Sequence, residues 1–321
     1  MAIYKKIILF FGLLASFCFI LPLSFEWNTS RIKEERLRQL QNFRKQLQQE
    51  QCRRYKQENF KGPRSWEDLS PSAFKNFIVD EKHGVIYCYI PKVACTNWKR
   101  VMFVLNQSEP YPDPLSIDSE FIHEKVKFTH LSDFSKMEIK VKLSQYTKFL
   151  FVRDPFIRLI SAYRDKFLGE DPSFYGYVKT VMRLYNKQSY MPFNVKLAHK
   201  LGVRPSFYNF IQYLVDPQTE KKEPYEPHWR QMYRLCHPCL IEYDFIGNQE
   251  TLKDDAQMLL KMLKLEDSIN FPPVYENTTT PDSVLSWFRT VSVEDRRRLY
   301  ELYEQDFRLF GYRRPSELLD D

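Results

Sequence analysis

Two stretches of the sequence put anion-binding side chains where a strand gives way to a helix. The first, GVIYCYIPKVACTNWKRVMFVLN, covers residues 84–106. The β-branched and aromatic run from Val85 to Ile90 reads as a buried strand that Pro91 ends. Lys92, Val93, Ala94, Cys95, Thr96 and Asn97 follow, then an amphipathic helix with Trp98, Val101, Met102 and Leu105 on one face. A strand, a tight turn and a helix start present backbone N–H groups that hold an anion, helped by the helix dipole. Lys92 adds a charge and Thr96 a hydroxyl, while the short side chains leave the backbone open. An ordinary turn with a solvated lysine is the plainer alternative.

The second stretch is KFLFVRDPFIRLISAYRDKF, residues 148–167. Phe149 to Val152 is again a buried-strand run. Asp154 is a good N-cap and Pro155 fits the first helical position. Arg153 lies at the end of the strand. Arg158, Ser161 and Arg164 recur every three residues and so share one helix side. Arginines beside a hydroxyl make a phosphate clamp, unless Asp165 merely pairs with them on a surface helix. Ligands of open α/β sheets bind beyond the carboxyl ends of the strands. Two such ends predict a ligand with two separated anionic groups. No GxxxxGK[ST] pattern is present, which argues against an ordinary ATP or GTP site.

The chain that must position these junctions has 321 residues and a formal net charge of +7. It is 43% hydrophobic and holds 26 Phe and 20 Tyr, which excludes a disordered or fibrous chain. Only 8 glycines occur, where an average chain would have roughly 22. That argues against a glycine-built dinucleotide loop. The modest positive balance favours an anionic partner.

Residues 7–25 form an uncharged apolar run preceded by Lys5 and Lys6 and followed by Glu26. This predicts a transmembrane signal anchor with residues 1–6 in the cytosol and the rest luminal, with a cleaved signal peptide as the alternative. Residues 26–69 are expected to be a luminal stem. Leu37, Leu40, Phe43 and Leu47 recur at helical spacing and suggest a self-associating helix; a solvated spacer is the other reading. The globular domain is placed at 70–321. Asn28, Asn106 and Asn277 begin glycosylation sequons. Five cysteines beyond the anchor cannot all pair within one chain. The run Cys236-His-Pro-Cys239 lacks a second half-site for zinc, so a structural disulfide role is expected there and no metal.

The pair PKVACTNW and FVRDPFIRLISAY resembles the two donor-binding elements of the Golgi carbohydrate sulfotransferases. From Tyr87 onward the chain is similar to their chondroitin 4-O-sulfotransferase branch, including PHWRQMYRLCHPCLIEYDFIG (227–247) and LYELYEQDFRLFGY (299–312). The resemblance implies a P-loop-like sulfotransferase fold of the α/β class, a central parallel sheet flanked by helices, in a single-pass Golgi membrane protein. It implies 3′-phosphoadenosine 5′-phosphosulfate as donor. Pro91 through Asn97 would wrap the 5′-phosphosulfate. The segment Arg153, Asp154, Pro155, Phe156, Ile157, Arg158, Leu159, Ile160 and Ser161 would take the 3′-phosphate, with Arg153 and Ser161 in direct contact. The acceptor would be an acidic polysaccharide, chondroitin or dermatan, and not nucleic acid. Terminal GalNAc or glucuronate acceptors are the sister alternatives, and a non-catalytic luminal glycan-binding protein is the reading from another class.

Sulfuryl transfer, like phosphoryl transfer, is an in-line displacement that relies on positioning and charge stabilisation. Lys92 is expected to stabilise the leaving oxygen. His130 is the first choice of base for the acceptor hydroxyl, His228 the second, and Glu124 a carboxylate alternative. Lys196, His199, Lys200 and Arg204 form a basic stretch that either tracks the acceptor or is a solvated helix face.

Overall fold

A computed structural model describes residues 31–57, 62–221, 223–273, 279 and 281–320. The chain divides into two units, Met1–Phe43 and Arg44–Asp321. In the first unit residues 31–43 are helical. The expected anchor over 7–25, the tail before it and Asn28 lie outside the described residues, as does Asn277. Among the described residues no helix is long and apolar enough to cross a membrane.

The second unit opens with helix α1 (44–57). Composition predicts a stem that runs to residue 69, but the compact unit starts at Arg44. The Arg44 guanidinium lies 2.9 Å from both carboxylate oxygens of Asp255 and 3.0 Å from the Ile246 carbonyl. Cys52 is bonded to Cys239. The partners that draw α1 onto the domain lie some two hundred residues later, beyond the reach of local periodicity.

Four strands make the sheet: β1 (Phe77–Asp80), β2 (Val85–Cys88), β3 (Thr147–Val152) and β4 (Phe245–Asn248), in the order β1-β2-β3-β4. β2, β3 and β4 are parallel, but β1 runs antiparallel to β2. The sheet is therefore mixed rather than wholly parallel. Residues 81–84 between β1 and β2 are too few for a crossover, and Gly84 takes the left-handed turn conformation at φ 63.

Helices α2 (Cys95–Leu105) and α3 (Lys136–Gln145) lie between β2 and β3. Between β3 and β4 come α4 (Pro155–Lys166), α5 (Tyr175–Tyr185), α6 (Val195–Lys200), α7 (Phe207–Val215) and α8 (Met232–Cys236). After β4 follow α9 (Leu252–Met262), α10 (Pro281–Phe288), α11 (Val293–Phe310) and α12 (Ser316–Leu319).

Aromatic side chains fill two core clusters. Tyr87 stacks on Phe149 at 4.7 Å, and Trp98 of α2 packs on Phe149 at 4.8 Å and Phe151 at 5.0 Å. Gly247 on β4 is paired with Phe151, and a Cβ there would come within 2.2 Å of the Phe151 ring. A second cluster joins α4, α7, α10 and α11, with Phe156 stacked on Phe288 at 4.8 Å and edge-on to Phe307 at 5.2 Å. Burying such a ring contributes roughly 2 kcal/mol. Cys88 of β2 is bonded to Cys236, so the Cys236–Cys239 turn serves two disulfides, and Cys95 alone is free among the described cysteines.

Candidate active site

Lys92 opens the site in a left-handed conformation at φ 69, and Ala94 repeats it at φ 48. Such geometry costs a residue with a side chain on the order of 1 kcal/mol, and it is found where a site demands it. The turn over residues 91–97 has no glycine to take this conformation. Ala94 is the N-cap of α2 and makes no side-chain cap. The first turn of α2, Cys95 to Asn97, lines an open cleft of about 990 Å³. Lys92 lines the same cleft, and its ammonium lies 2.9 Å from the Asp165 carboxylate. Burial works to raise the Asp165 pKa, but Lys92 and then Lys166 hold it below the usual value.

The opposite wall comes from β3 and α4. Asp154 accepts hydrogen bonds from the Phe156 and Ile157 amides at 2.9 Å and so caps α4. Burial nevertheless pushes its pKa up to about 6. Arg153 is 8% exposed and donates to the Lys92 carbonyl at 3.1 Å. Burial lowers its pKa, with Glu250 opposing, yet arginine stays charged. One backbone bond leaves most of its five donors for a ligand in the cleft. Ser161 and Arg164 line the cleft beside it.

Arg158 does not. Its spacing with Ser161 predicts a phosphate clamp, but the side chain is 1% exposed. It donates to the Pro91 carbonyl at 3.0 Å, and to those of Arg230 and Pro227 at 2.7 Å each. Arg158 therefore ties the Lys92 loop to the His228 loop and is no ligand contact. Val93, Phe156, Leu159 and Ile160 are core side chains, and Pro91 and Ile157 are absent from the cleft lining. Of the segment from Arg153 to Ser161, its two ends reach the cleft.

The histidines change order. His130, the first choice from sequence, is not in the cleft lining. It forms a lone bridge with Ile78 of β1, and its backbone amide bonds Asp133 at 2.9 Å. The chain before β3 is drawn onto the sheet edge there, so proximity in sequence does not become proximity to the cleft.

His228 does line it. Its Nδ1 lies 2.9 Å from both carboxylate oxygens of Glu226, and its amide donates to Glu226 at 2.7 Å. A carboxylate only accepts, so Nδ1 carries the proton and Nε2 keeps its lone pair. Burial lowers the His228 pKa; Glu226 opposes this, and Lys166 and Lys92 reinforce it.

His123 is a cleft residue that sequence reasoning passes over in favour of its neighbour Glu124, which also lines the cleft. It sits in a single π-helical turn, Phe121–Lys125, where no periodicity announces it. Its Nε2 is 2.9 Å from the Thr96 hydroxyl. Burial, then Lys99 and Lys166, brings its pKa down to about 4. The C-terminal helix α11 packs Leu299, Tyr303, Phe307 and Phe310 into the core. Asn106 is exposed at the end of α2.

The cleft thus combines an uncapped helix start, two cations at the strand ends, Lys92 paired with Asp165 and Arg153 bonded to one carbonyl, and a carboxylate-held histidine. That donor set fits a doubly anionic nucleotide. The pattern of the sulfotransferase family matches residues 75–313. Carbohydrate sulfotransferase 12 of Mus musculus is 50% identical over 273 residues, 80% of this chain and 65% of that protein. Its Xenopus laevis counterpart is 47% identical over 272 residues, 80% of this chain and 64% of that protein. Carbohydrate sulfotransferase 11 of Rattus norvegicus is 40% identical over 253 residues, 78% of this chain and 70% of that protein. The chain therefore spans slightly less than two thirds of the length of the first two relatives. No solved structure matches it significantly. The match over most of the chain, on the two strand-to-helix junctions that build the cleft, means that this chain belongs to the sulfotransferase family.

Proposed function

We propose that this chain transfers a sulfuryl group from 3′-phosphoadenosine 5′-phosphosulfate to the 4-hydroxyl of N-acetylgalactosamine in chondroitin, with dermatan as a second acceptor. The supporting observation is one convergence: Lys92, the Arg153–Ser161 segment and His228, three separate stretches of chain, share a single cleft. The choice of chondroitin rests on the motifs from Tyr87 onward. The start of α2 and Lys92 would hold the 5′-phosphosulfate, and Arg153 with Ser161 the 3′-phosphate.

In the reaction, the acceptor oxygen forms a bond to sulfur as the bridging oxygen–sulfur bond breaks. His228 Nε2 takes the hydroxyl proton, and Lys92 stabilises the charge on the departing adenosine 3′,5′-bisphosphate. Glu226 holds the imidazole in the receptive tautomer. No step calls on a metal. The apolar run over residues 7–25 supports a Golgi anchor with the second unit luminal, and the helical spacing after it supports self-association of the stem.

The test is incubation of the full chain with radiolabelled donor and a panel of desulfated polysaccharides, followed by disaccharide analysis. Label on the 4-hydroxyl of N-acetylgalactosamine is expected. Label elsewhere, or on none of the panel, would sink the assignment.

A further inference from the structure

From Pro172 to Val215 the chain has no Asp or Glu, while Lys179, Arg183, Lys187, Lys196, Lys200 and Arg204 supply six cations. All but Lys179 are exposed. Among the described residues, no carboxylate pairs with Lys196, Lys200 or Arg204. The same stretch holds an unusual share of exposed apolar side chains: Leu184 at 62%, Tyr190 at 70%, Phe193 at 90% and Leu201 at 58%.

This face is built, and it adjoins the cleft. The Tyr175 hydroxyl donates to the Pro192 carbonyl at 2.6 Å, which holds the loop with Tyr190 and Phe193 against the start of α5. Asn194 caps α6 through the Leu197 amide at 2.9 Å. On α6, Val195 and Ala198 face the core, so Lys196 and Lys200 lie one turn apart on the outside. His199 reaches Glu170 at 3.1 Å, and the next residues, Asp171 and Pro172, line the cleft. Glu170 thus links α6 to the rim of the cleft at Asp171 and Pro172.

We infer that α6 and the loop before it, through Lys196, Lys200, Arg204, Tyr190 and Phe193, form a docking track for the acceptor polysaccharide beyond the sugar being modified. This rests on the acidic-glycan reading above. Charge selects the occupant: a polymer with a carboxylate on every second sugar meets a face of unpaired cations. The exposed rings offer flat apolar surface to the C–H faces of sugar rings. A lipid surface calls for a segregated apolar face. Here each exposed leucine follows a cation, in Arg183-Leu184, Lys196-Leu197 and Lys200-Leu201, and both kinds share the outside. The track makes long chains better acceptors than short ones, because remote contacts add affinity without touching the reacting atoms.

The experiment uses the full chain and its triple variant K196A/K200A/R204A, with desulfated chondroitin polymer and a chondroitin tetrasaccharide as acceptors. The polymer KM is expected to rise roughly tenfold in the variant, the sum of three exposed charge contacts. Tetrasaccharide kcat and KM should stay within twofold, which also shows that the variant is folded. Tyr190→Ala with Phe193→Ala should raise the polymer KM while leaving its salt dependence unchanged, since no charge is removed. An unchanged polymer KM in the charge variant would overturn the track, and so would equal losses on both acceptors. An unchanged polymer KM together with weaker sedimentation on phosphatidylcholine–phosphatidylserine vesicles would overturn it in favour of a lipid surface. Direct polymer binding separates the two readings. Polymer bound by the wild type and released by the variant, but never sulfated, would uphold the track and sink the proposed reaction.

Discussion

The Lys92 ammonium and the Asp165 carboxylate face each other across the cleft at 2.9 Å. The proposed charge stabiliser is thus already held by an anion that a phosphosulfate would have to displace or share. Asp165→Asn removes that competitor. Adenosine 3′,5′-bisphosphate should bind the variant more tightly, by roughly fivefold for a partly exposed pair. Calorimetric titration reads this directly. Weaker binding would mean that Asp165 orients Lys92 instead of competing for it.

His228 should govern the acid limb of the rate. Burial lowers its pKa from 6.5 despite Glu226. A base that works neutral loses activity as pH falls through its pKa, so the limb should lie below the ordinary histidine value. His228→Ala should lose at least a hundredfold in turnover and keep the melting shift induced by adenosine 3′,5′-bisphosphate. Glu226→Gln removes an anion that favours protonation, so it should move the limb further down in pH. His130→Ala should keep turnover near wild type. If instead His130→Ala is dead and His228→Ala is active, the base is misassigned.

Arg158 is expected to behave as a structural tie. Lysine cannot reach three carbonyls with one ammonium. Arg158→Lys leaves buried acceptors unmet and should cost about 3 kcal/mol, visible in urea unfolding. Nucleotide affinity and turnover should fall together, because Pro91 and Pro227 belong to different walls. A loss of nucleotide affinity at unchanged stability would restore the phosphate-clamp reading.

His237 carries an acid sensitivity. Burial, with Arg230 adding, brings its pKa down to about 4, and it sits left-handed at φ 48. The unfolded chain, near 6.5, takes up the proton first. The stability is whole above pH 6.5 and is lost as pH falls towards 4, by at most about 3 kcal/mol. His237→Asn tolerates the same backbone and should flatten the pH dependence of unfolding over that window. An equally steep curve would place the sensitivity on another group.

What could be read from the residues was local. The runs before Pro91 and Arg153 became β2 and β3, and the Asp154-Pro155 helix start became α4. The antiparallel β1 was not legible, because Phe77–Asp80 is short and lacks alternation: all four residues are buried. Arg158 misled because its three carbonyl partners lie 67 to 72 residues away. A helical wheel shows which side a residue occupies but not what lies on that side. That His123 lines the cleft and His130 does not was hidden for the same reason: their positions depend on how the 106–135 connection folds across the sheet, and its short turns carry no period.

The two disulfides also impose an order on biosynthesis. Cys52 and Cys88 are made 187 and 148 residues before their partners, which sit together in one four-residue turn. While the 140 residues between Cys95 and Cys236 are being made, these early thiols have only each other and Cys95 to react with outside the apolar run over residues 7–25. Native cross-links can close only after the Cys236–Cys239 turn has emerged and met the sheet. A chain interrupted before that turn carries both halves of the cleft motifs and none of its covalent fastening.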